Sequence, residues 1–183
     1  MINSLSAYHK DPKITFKDQE QGETILLLLR RHLITNVWWL LTALALSFLP
    51  VVILFGRVLP PALDPALLPG NYTLVALLTW YLFVFGFVII NFLDWFFNVD
   101  LVTNKRLVDM DYVNLLFFKS SETNYSKIED VSYHVSGLFQ VSFNFGDVSF
   151  QTAGTQENFD LTEIPNPAGV HDLITDLMTT SPS

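Results

Sequence analysis

The chain has 183 residues, of which 50% are hydrophobic and 14% aromatic, and it carries a formal net charge of −8. This composition is too apolar for an ordinary soluble domain, and the chain is too short for a large transporter. The absence of Cys excludes a disulfide framework, a Cys-ligated metal site and a thiol nucleophile.

The acidic residues are concentrated in the second half of the chain. From Asn98 onward there are twelve acidic residues and only four basic ones, which accounts for the whole net charge. Such a surface is poorly suited to nucleic acid, because phosphate binding depends on Lys and Arg. We therefore expect no nucleic-acid partner.

Residues 1–32 are polar until the stretch ETILLLLRRH, in which Glu23 precedes an apolar run and Arg30 and Arg31 follow it. One interpretation is a helix lying on the inner leaflet with its arginines at the lipid headgroups. The other, which we prefer, is a helix that leads directly into the first apolar span. Either way, residues 1–32 are predicted to be a cytoplasmic segment with a juxtamembrane helix. The acidic residues before this run argue for an uncleaved anchor instead of a signal peptide.

Two long uncharged stretches follow, and each is long enough at about 1.5 Å per residue to cross a hydrocarbon core of about 30 Å. The sequence predicts a two-helix transmembrane hairpin over residues 33–96, with spans at about 33–56 and 71–94. The clearly internal polar residues, Thr42, Ser47 and Thr79, can bond to their own helices. Without charged groups inside the membrane, a single chain is a poor transporter.

The orientation follows from the positions of Lys and Arg. Basic residues precede the first span and follow the second, whereas Arg57 is the only basic residue of the connecting loop. We therefore expect a multi-pass protein of the plasma membrane with both termini in the cytoplasm. The residues predicted to lie at the membrane interface are Arg30, Arg31, Trp38, Trp39, Tyr72 and Trp95.

After residue 94 the period changes to the two-residue alternation that is typical of half-buried strands. Strands at 99–103 and 108–112 flank Asn104-Lys105, which predicts a tight hairpin because Asn tolerates a left-handed conformation. Three further strands are predicted at 131–135, 148–152 and 159–164, with turns at Gly146, Asp147 and Gly154. The stretch LFQVSFNF between them fits either a strand or a short helical connection.

A helix is predicted at the C-terminal end, with Asn166 as its N-cap and Pro167 at the first helical position. Residues 97–179 are therefore predicted to be a cytoplasmic domain of antiparallel strands closed by one helix, and residues 180–183 a tail. A small barrel or sandwich fits this order. The fold class is a membrane-anchored mixed α+β protein.

The order of two hydrophobic spans, then VTNKRLVDMD, SKIEDVS, FNFGDVSFQTAG and IPNP before a terminal helix resembles the bacterial pleckstrin-homology-like (PH-like) membrane proteins. The resemblance covers essentially the whole chain, including ETILLLLRRH. It implies a bent seven-stranded antiparallel barrel capped by an amphipathic helix. Five strands follow from the pattern of residues, and two more are implied by the resemblance alone.

No enzyme motif occurs in the sequence, and the four histidines lie far apart on different predicted elements. We predict no catalytic residue, no cofactor and no metal ion. Glu129 and Asp130 would point to opposite faces of a strand. Asp109 and Asp111 share a face, and the hairpin is expected to bring Asp100 close to them. This arrangement fits either a weak Ca²⁺ or partner-facing patch or a solvated hairpin face.

The candidate interaction residues are Lys105, Arg106, Leu138, Phe139, Phe143 and Phe145. Specific phosphoinositide binding is not expected, because Lys105-Arg106 is the only basic pair in an acidic module. The aromatic residues of LFQVSFNF fit either a contact patch or the core.

Two functions remain open. The first is a non-enzymatic, membrane-anchored scaffold that displays a protein-binding domain at the inner face of the membrane, for an unknown partner or for a second copy of the chain. The alternative is a lipid-responsive or transport accessory subunit that acts through oligomerised transmembrane helices, for which Gly86 would permit close helix approach.

Overall fold

The computed structural model describes residues 6–16, 18–56, 69–114, 117–152 and 159–180, and their side chains except at 111–119. The strands and helices of these residues follow in the order β1 (Tyr8–Lys10), β2 (Ile25–Leu29), α1 (Val37–Phe55), α2 (Gly70–Phe97), β3 (Val99–Thr103), β4 (Arg106–Asn114), β5 (Phe117–Asn124), β6 (Ile128–His134), α3 (Gly137–Phe143), β7 (Phe145–Thr152), β8 (Phe159–Pro165) and α4 (Pro167–Thr180).

The chain divides into two compact units. Met1–Thr35 and Asp94–Ser183 form the first, which we call the sheet unit, and Asn36–Leu93 form the second, the helical unit. The helical unit therefore interrupts the sheet unit in sequence, between β2 and β3. The predicted division at residues 32 and 97 did not include the N-terminal segment in the sheet unit.

The sheet unit contains two antiparallel sheets. Strands β1 to β5 form a five-stranded sheet in chain order, and β6, β7 and β8 form a three-stranded sheet. The five strands expected from the alternation of residues correspond to β3, β4, β6, β7 and β8. Strands β1, β2 and β5 were not expected at their positions.

The predicted juxtamembrane helix is wrong, because Ile25–Leu29 forms strand β2. This strand lies between β1 and β3, with Leu28 opposite Leu101. Leu27 and Leu29 are almost completely buried. A strand covered on both faces has a continuous apolar sequence, and such a short run cannot be distinguished from a buried helix by its period.

The core of the sheet unit lies on both sides of β2. Leu27 and Leu29 belong to the larger apolar cluster, which also includes Phe150 and the α4 residues Val170 and Ile174. On the other face, a smaller cluster contains Ile25, Leu28, Leu101 and Val108. Strand β2 is therefore central to the packing of the whole unit.

The hairpin between β3 and β4 is confirmed, but its predicted turn conformation is wrong. Asn104 is absent from the described residues with positive φ, so it does not take the left-handed conformation. Its side chain instead accepts a hydrogen bond from the Thr24 N–H at 2.8 Å and donates one to the Gly22 carbonyl at 3.1 Å. Asn104 thus holds the segment that leads into β2 against the hairpin.

In the helical unit, α1 and the first part of α2 are joined by side-chain hydrogen bonds. The Trp80 indole donates to the Leu46 carbonyl at 3.0 Å, and the Tyr81 hydroxyl donates to the Ser47 carbonyl at 3.1 Å. The helical stretches Leu33–Phe55 and Gly70–Phe97 are 23 and 28 residues long, and both are apolar enough to cross a membrane. The predicted loop with Arg57 lies outside the described residues.

Candidate interaction surface

Helix α3 carries large apolar side chains that are exposed to solvent. The exposed fractions are 86% for Leu138, 66% for Phe139, 67% for Val141 and 47% for Phe143. We call these four side chains the α3 patch. The stretch LFQVSFNF is therefore a short helix followed by the start of β7, and most of its large apolar residues lie at the surface.

Phe145 does not belong to this surface, although it was predicted as a contact residue together with its neighbours. It is 6% exposed and its ring stacks on the His32 imidazole, with 5.1 Å between the ring centroids. Side chains of a strand alternate between its two faces, and Phe145, the first residue of β7, points into the core. The sequence alone could not fix where the helix ends and the strand begins.

His32 is held at the point where the chain leaves the sheet unit for the first long helix. Its backbone N–H donates to the Glu163 carbonyl of β8 at 2.8 Å. Its ring Nδ1 accepts a hydrogen bond from the Ile34 N–H at 3.2 Å, which favours the neutral ring. Burial lowers the pKa of His32 below its ordinary value of 6.5.

This environment predicts a specific pH dependence of stability. Because the pKa of His32 is lower in the folded chain, the unfolded chain binds the proton more readily. The free energy of unfolding should therefore fall as the pH drops below 6.5, and the fall should level off below the lowered pKa. His32→Phe keeps a ring against Phe145 but cannot titrate. Denaturant unfolding at pH 7.5 and pH 5 should show that the free energy of unfolding falls less for this variant than for the unsubstituted chain. An equal fall in the two chains would contradict the prediction.

Gly146 and Asp147 were predicted as a turn, but both lie within β7. The pairing of β7 with β8 shifts register between Gly146 and Val148, which indicates a bulge. A Cβ on Gly146 would overlap the His134 carbonyl oxygen, so the strand needs glycine at this position. The Asp147 carboxylate accepts a hydrogen bond from the Glu163 N–H at 2.7 Å.

The start of α4 is close to the prediction. The helix begins at Pro167, as expected, and the Asn166 carbonyl accepts the first backbone hydrogen bond from Val170 at 3.1 Å. Asn166 has a φ of +52°, however, and not the extended conformation that is usual for an N-cap. The predicted turn at Gly154 lies outside the described residues.

Three of the residues predicted to lie at the membrane interface make contacts within the sheet unit. The Arg30 guanidinium lies 4.9 Å from the centre of the Phe96 ring, and its Nε donates to the Phe96 carbonyl. The Trp95 indole is 5% exposed and donates to the Arg31 carbonyl at 2.8 Å. Arg31 also approaches Asp94 at 3.7 Å. We call residues 30–32 and 94–98 the neck, because these contacts join the two segments that flank the helical unit.

The other three interface residues lie in the helical unit. Trp38 and Tyr72 are 72% and 62% exposed. The Trp39 indole is partly buried and donates to the Asn36 side chain at 3.0 Å. Exposure of this kind is compatible with a position at the membrane interface, which stays a prediction.

Arg106, which was predicted as a candidate interaction residue, is buried and is not a surface cation. Its side chain is 11% exposed, and its guanidinium donates to both carboxylate oxygens of Glu23, each at 3.1 Å, and also to Glu122. The Thr103 hydroxyl donates to the same Glu23 carboxylate at 2.8 Å. We call Glu23, Thr103, Arg106 and Glu122 the Arg106 network.

The network determines the protonation of Glu23. Burial alone would raise the pKa of this carboxyl, but hydrogen bonds from Arg106, from the Glu20 N–H and from Thr103 outweigh burial and hold the pKa below 4.5. Conversely, the hydrogen bond to Glu23 raises the pKa of Arg106. The pair is therefore ionised at neutral pH.

Lys105 is exposed, but it is also paired. Its ammonium group lies 2.9 Å from the Glu20 carboxylate and donates to the Gln21 carbonyl at 3.0 Å. Both members of the predicted basic pair therefore have carboxylate partners on the segment before β2. The sequence could not show this pairing, because the partners are more than eighty positions away in the chain.

The predicted acidic patch is present in part. Asp100 and Asp109 are paired directly across β3 and β4. Together with Arg31, Asn98 and residues of β8, they line a polar cavity of about 230 Å³. Within the part of the chain that the structure describes, no group of three or more His, Asp or Glu side chains is placed to hold a metal ion. The side chain of Asp111 lies outside the described residues.

Strand β6 forms an exposed edge. Among the described strands it pairs only with β7, so its other side has no strand neighbour. Most of its side chains face solvent, including those of Glu129 and Asp130. Helix α4 packs against this strand, and the Tyr133 and His171 rings are 5.4 Å apart. The geometry is that of an open strand edge beside a helix.

A family model described as the bacterial PH domain matches residues 24–178. The match begins just before β2 and therefore includes β2 and both long apolar helices. No curated protein matches the chain.

Two of the matching solved structures come from Shewanella. One is a DUF1696 family protein with a pleckstrin-homology domain from Shewanella loihica PV-4, with 15% identity, a TM-score of 0.38, and coverage of 44% of this chain and 70% of that chain. The other is a pleckstrin homology domain from Shewanella amazonensis SB2B, with 15% identity and a TM-score of 0.35. The match covers 45% of this chain and 75% of that chain.

Proposed function

The chain belongs to the bacterial PH domain family, and from this premise we propose that it is a non-enzymatic, membrane-anchored interaction module. A PH-like domain suggests a protein or lipid interaction module, and the family is generally non-catalytic. The finer proposal is that the helical unit anchors the chain in the plasma membrane and that the sheet unit binds another protein at the inner face.

The composition and exposure of the helical unit support the membrane anchor. Only 11% and 6% of the residues in the apolar windows of its two helical stretches are buried. Soluble monomers rarely expose continuous apolar surfaces of this extent, because water contact with them is unfavourable. A lipid environment would cover these side chains.

Strand pairing supports a two-crossing topology independently of charge. Leu29 at the end of β2 pairs with Asp100 near the start of β3. The segments before and after the helical unit are therefore parts of one sheet and must lie on the same side of any membrane. This pairing supports an even number of crossings, and the Lys and Arg residues outside the helices favour the cytoplasm for that side.

The open edge of β6 is the single observation that supports protein binding most directly. An extended segment of a partner can add to an unpaired edge by backbone hydrogen bonds, with specificity from alternate side chains. The exposed Glu129 and Asp130 on this strand favour a partner segment with basic residues.

The Arg106 network argues against specific phosphoinositide recognition. Headgroup phosphates are bound by clusters of available Lys and Arg side chains. Arg106 is buried against Glu23, and Lys105 is paired with Glu20. Binding a phosphate here would require both carboxylates to be displaced.

The alternative function, an accessory subunit that acts through oligomerised helices, has one supporting observation. A Cβ on Gly86 would meet nothing within 4 Å, so this face of α2 is open to another helix. A partner helix could approach closely at this position.

Site-specific photo-crosslinking in living cells separates the two functions. A photoreactive phenylalanine analogue at Tyr133 on β6 should be crosslinked to an extended segment of a second protein, which mass spectrometry of the crosslinked peptide would identify. The same analogue at the exposed Gln21 serves as the control and should give little product. Crosslinks from Leu82 on α2, with none from Tyr133, would refute the β6 proposal and favour action through the helices.

A further inference from the structure

We propose that the α3 patch is a lipid wedge, which inserts Leu138, Phe139, Val141 and Phe143 into the boundary between headgroups and acyl chains of the inner leaflet. This inference rests on the proposed membrane anchor and adds to it a second, peripheral contact with lipid. Its ligand is the lipid surface itself and not a particular headgroup.

The exposure of the patch requires a covering environment that the chain does not supply. All four large apolar side chains of the patch face solvent within a helix of only seven residues. Helix α3 begins at Gly137, which has a φ of +81°, and ends at Phe143, which is followed by the left-handed Asn144. The short helix therefore forms the connection between β6 and β7, with sharp changes of backbone conformation at both ends.

The contacts of the sheet unit place α3 beside the point at which the chain enters the first apolar helix. Phe145, two residues after the end of α3, stacks on His32. The apolar stretch that could cross a membrane begins at Leu33, the next residue. If this stretch enters a bilayer, the leaflet surface begins within a few residues of His32, and α3 is held close to it.

The charge around α3 fits entry into lipid. From Val131 to Gly146 the chain contains no Asp, Glu, Lys or Arg residue, although the C-terminal half is strongly acidic. The patch and its neighbours in this stretch therefore carry no charge that would have to be desolvated on entry into the leaflet. Because basic residues are also absent, the driving force is burial of apolar surface, and neutral phosphatidylcholine should suffice. Interfacial helices bury their apolar faces by about 5–10 Å in this way.

The size of the patch argues against a stable protein interface. Such an interface takes about 800 Å² and about 20–30 residues from each partner. Four side chains on one short helix are far fewer, and the adjoining strand β6 carries mainly polar and charged side chains. A bilayer has no minimum contact area of this kind.

The natural absence of Cys makes a direct test possible. A spin label is attached to a single Cys in each of the variants Phe139→Cys, Val141→Cys, Gln21→Cys and Leu78→Cys of the full chain, in phosphatidylcholine nanodiscs. Collisions with oxygen report lipid exposure, and collisions with a soluble nickel chelate report water exposure. We expect the oxygen-to-nickel ratio at residues 139 and 141 to exceed that at Gln21 several-fold and to approach that at Leu78.

Each other outcome has a defined meaning. Water exposure at 139 and 141 with lipid exposure at Leu78 would overturn the wedge and leave the anchor standing. Water exposure at Leu78 would overturn the proposed anchor itself. Labels at 139 and 141 that are shielded from both reagents would indicate a protein contact, such as a second copy, and would also overturn the wedge.

Discussion

Arg106→Ala is expected to lower the free energy of unfolding by about 3–5 kcal/mol, the usual cost of removing one partner from a buried ion pair. The Glu23 side chain is completely buried, and Arg106 donates to both of its carboxylate oxygens. Without the guanidinium, Glu23 must either stay charged without its main partner or take up a proton. Both alternatives raise the free energy of the folded chain but not that of the unfolded chain.

The matched control is the neighbouring residue. Lys105→Ala removes a cation one position earlier in the chain, but its ion pair with Glu20 is substantially exposed. Exposed pairs contribute only about 0–1 kcal/mol, because water and side-chain entropy offset the attraction. Urea unfolding of the protein in nanodiscs, followed by aromatic fluorescence, measures both effects. Equal small losses in the two variants would show that the Arg106 network contributes little.

A double substitution tests the cause of the loss. Replacing buried ion pairs by apolar residues of similar volume is often neutral, since both desolvation costs disappear together. Glu23→Leu combined with Arg106→Met should therefore lose less stability than Arg106→Ala alone. A double variant that is much less stable than the single one would indicate that Glu23 has a separate role, for example through Thr103.

The sequence predicted the parts of the fold whose signals are local. Strands β3 and β4 were found from alternate apolar residues, and the start of α4 from Asn166-Pro167. Strand β2 was misread because ILLLL shows no alternation, and its identity depends on neighbours from distant parts of the chain. Burial on both faces, which defines this strand, is a tertiary property.

The candidate site was predictable to a similar degree. Leu138, Phe139 and Phe143 were candidate interaction residues in a connection that fitted either a contact patch or the core, and their exposure follows only from the helix that they form. The burial of Arg106, a candidate interaction residue, was not foreseen, because its partner Glu23 lies on the other side of the helical unit in sequence. Pairing over such a distance leaves no local trace in one sequence.

The position of β2 leads to the second large effect, which concerns shortened chains. A chain that begins at residue 94 should not fold cooperatively, although it contains every strand from β3 to β8. It lacks Ile25, Leu27, Leu28 and Leu29, which are all at least 94% buried. At about 1.5–3 kcal/mol for each large apolar side chain, the loss is about 6–12 kcal/mol, which is comparable with the whole stability of a typical domain, about 5–15 kcal/mol.

A second shortened chain should restore the fold. In it, Asn36–Leu93 are replaced by a linker of about six Gly and Ser residues, which is an ordinary loop length. The neck already brings the two ends together, since the Trp95 indole donates to the Arg31 carbonyl at 2.8 Å. Amide proton dispersion and cooperative urea unfolding should both be present in this chain and absent from the one that begins at residue 94. Leu29→Asp in the linked chain is the control and should abolish both.

The comparison between these two chains decides how the protein is built. If the chain that begins at residue 94 folds, β2 is dispensable and the domain lies wholly after the apolar helices, as the sequence alone suggested. If only the linked chain folds, the helical unit is an insertion between two neighbouring strands of one sheet. The pairing of Leu29 with Asp100 supports the second result. Both ends of the helical unit would then be fixed to adjacent strands, and force or displacement in the helices would act directly on the β2–β3 pair.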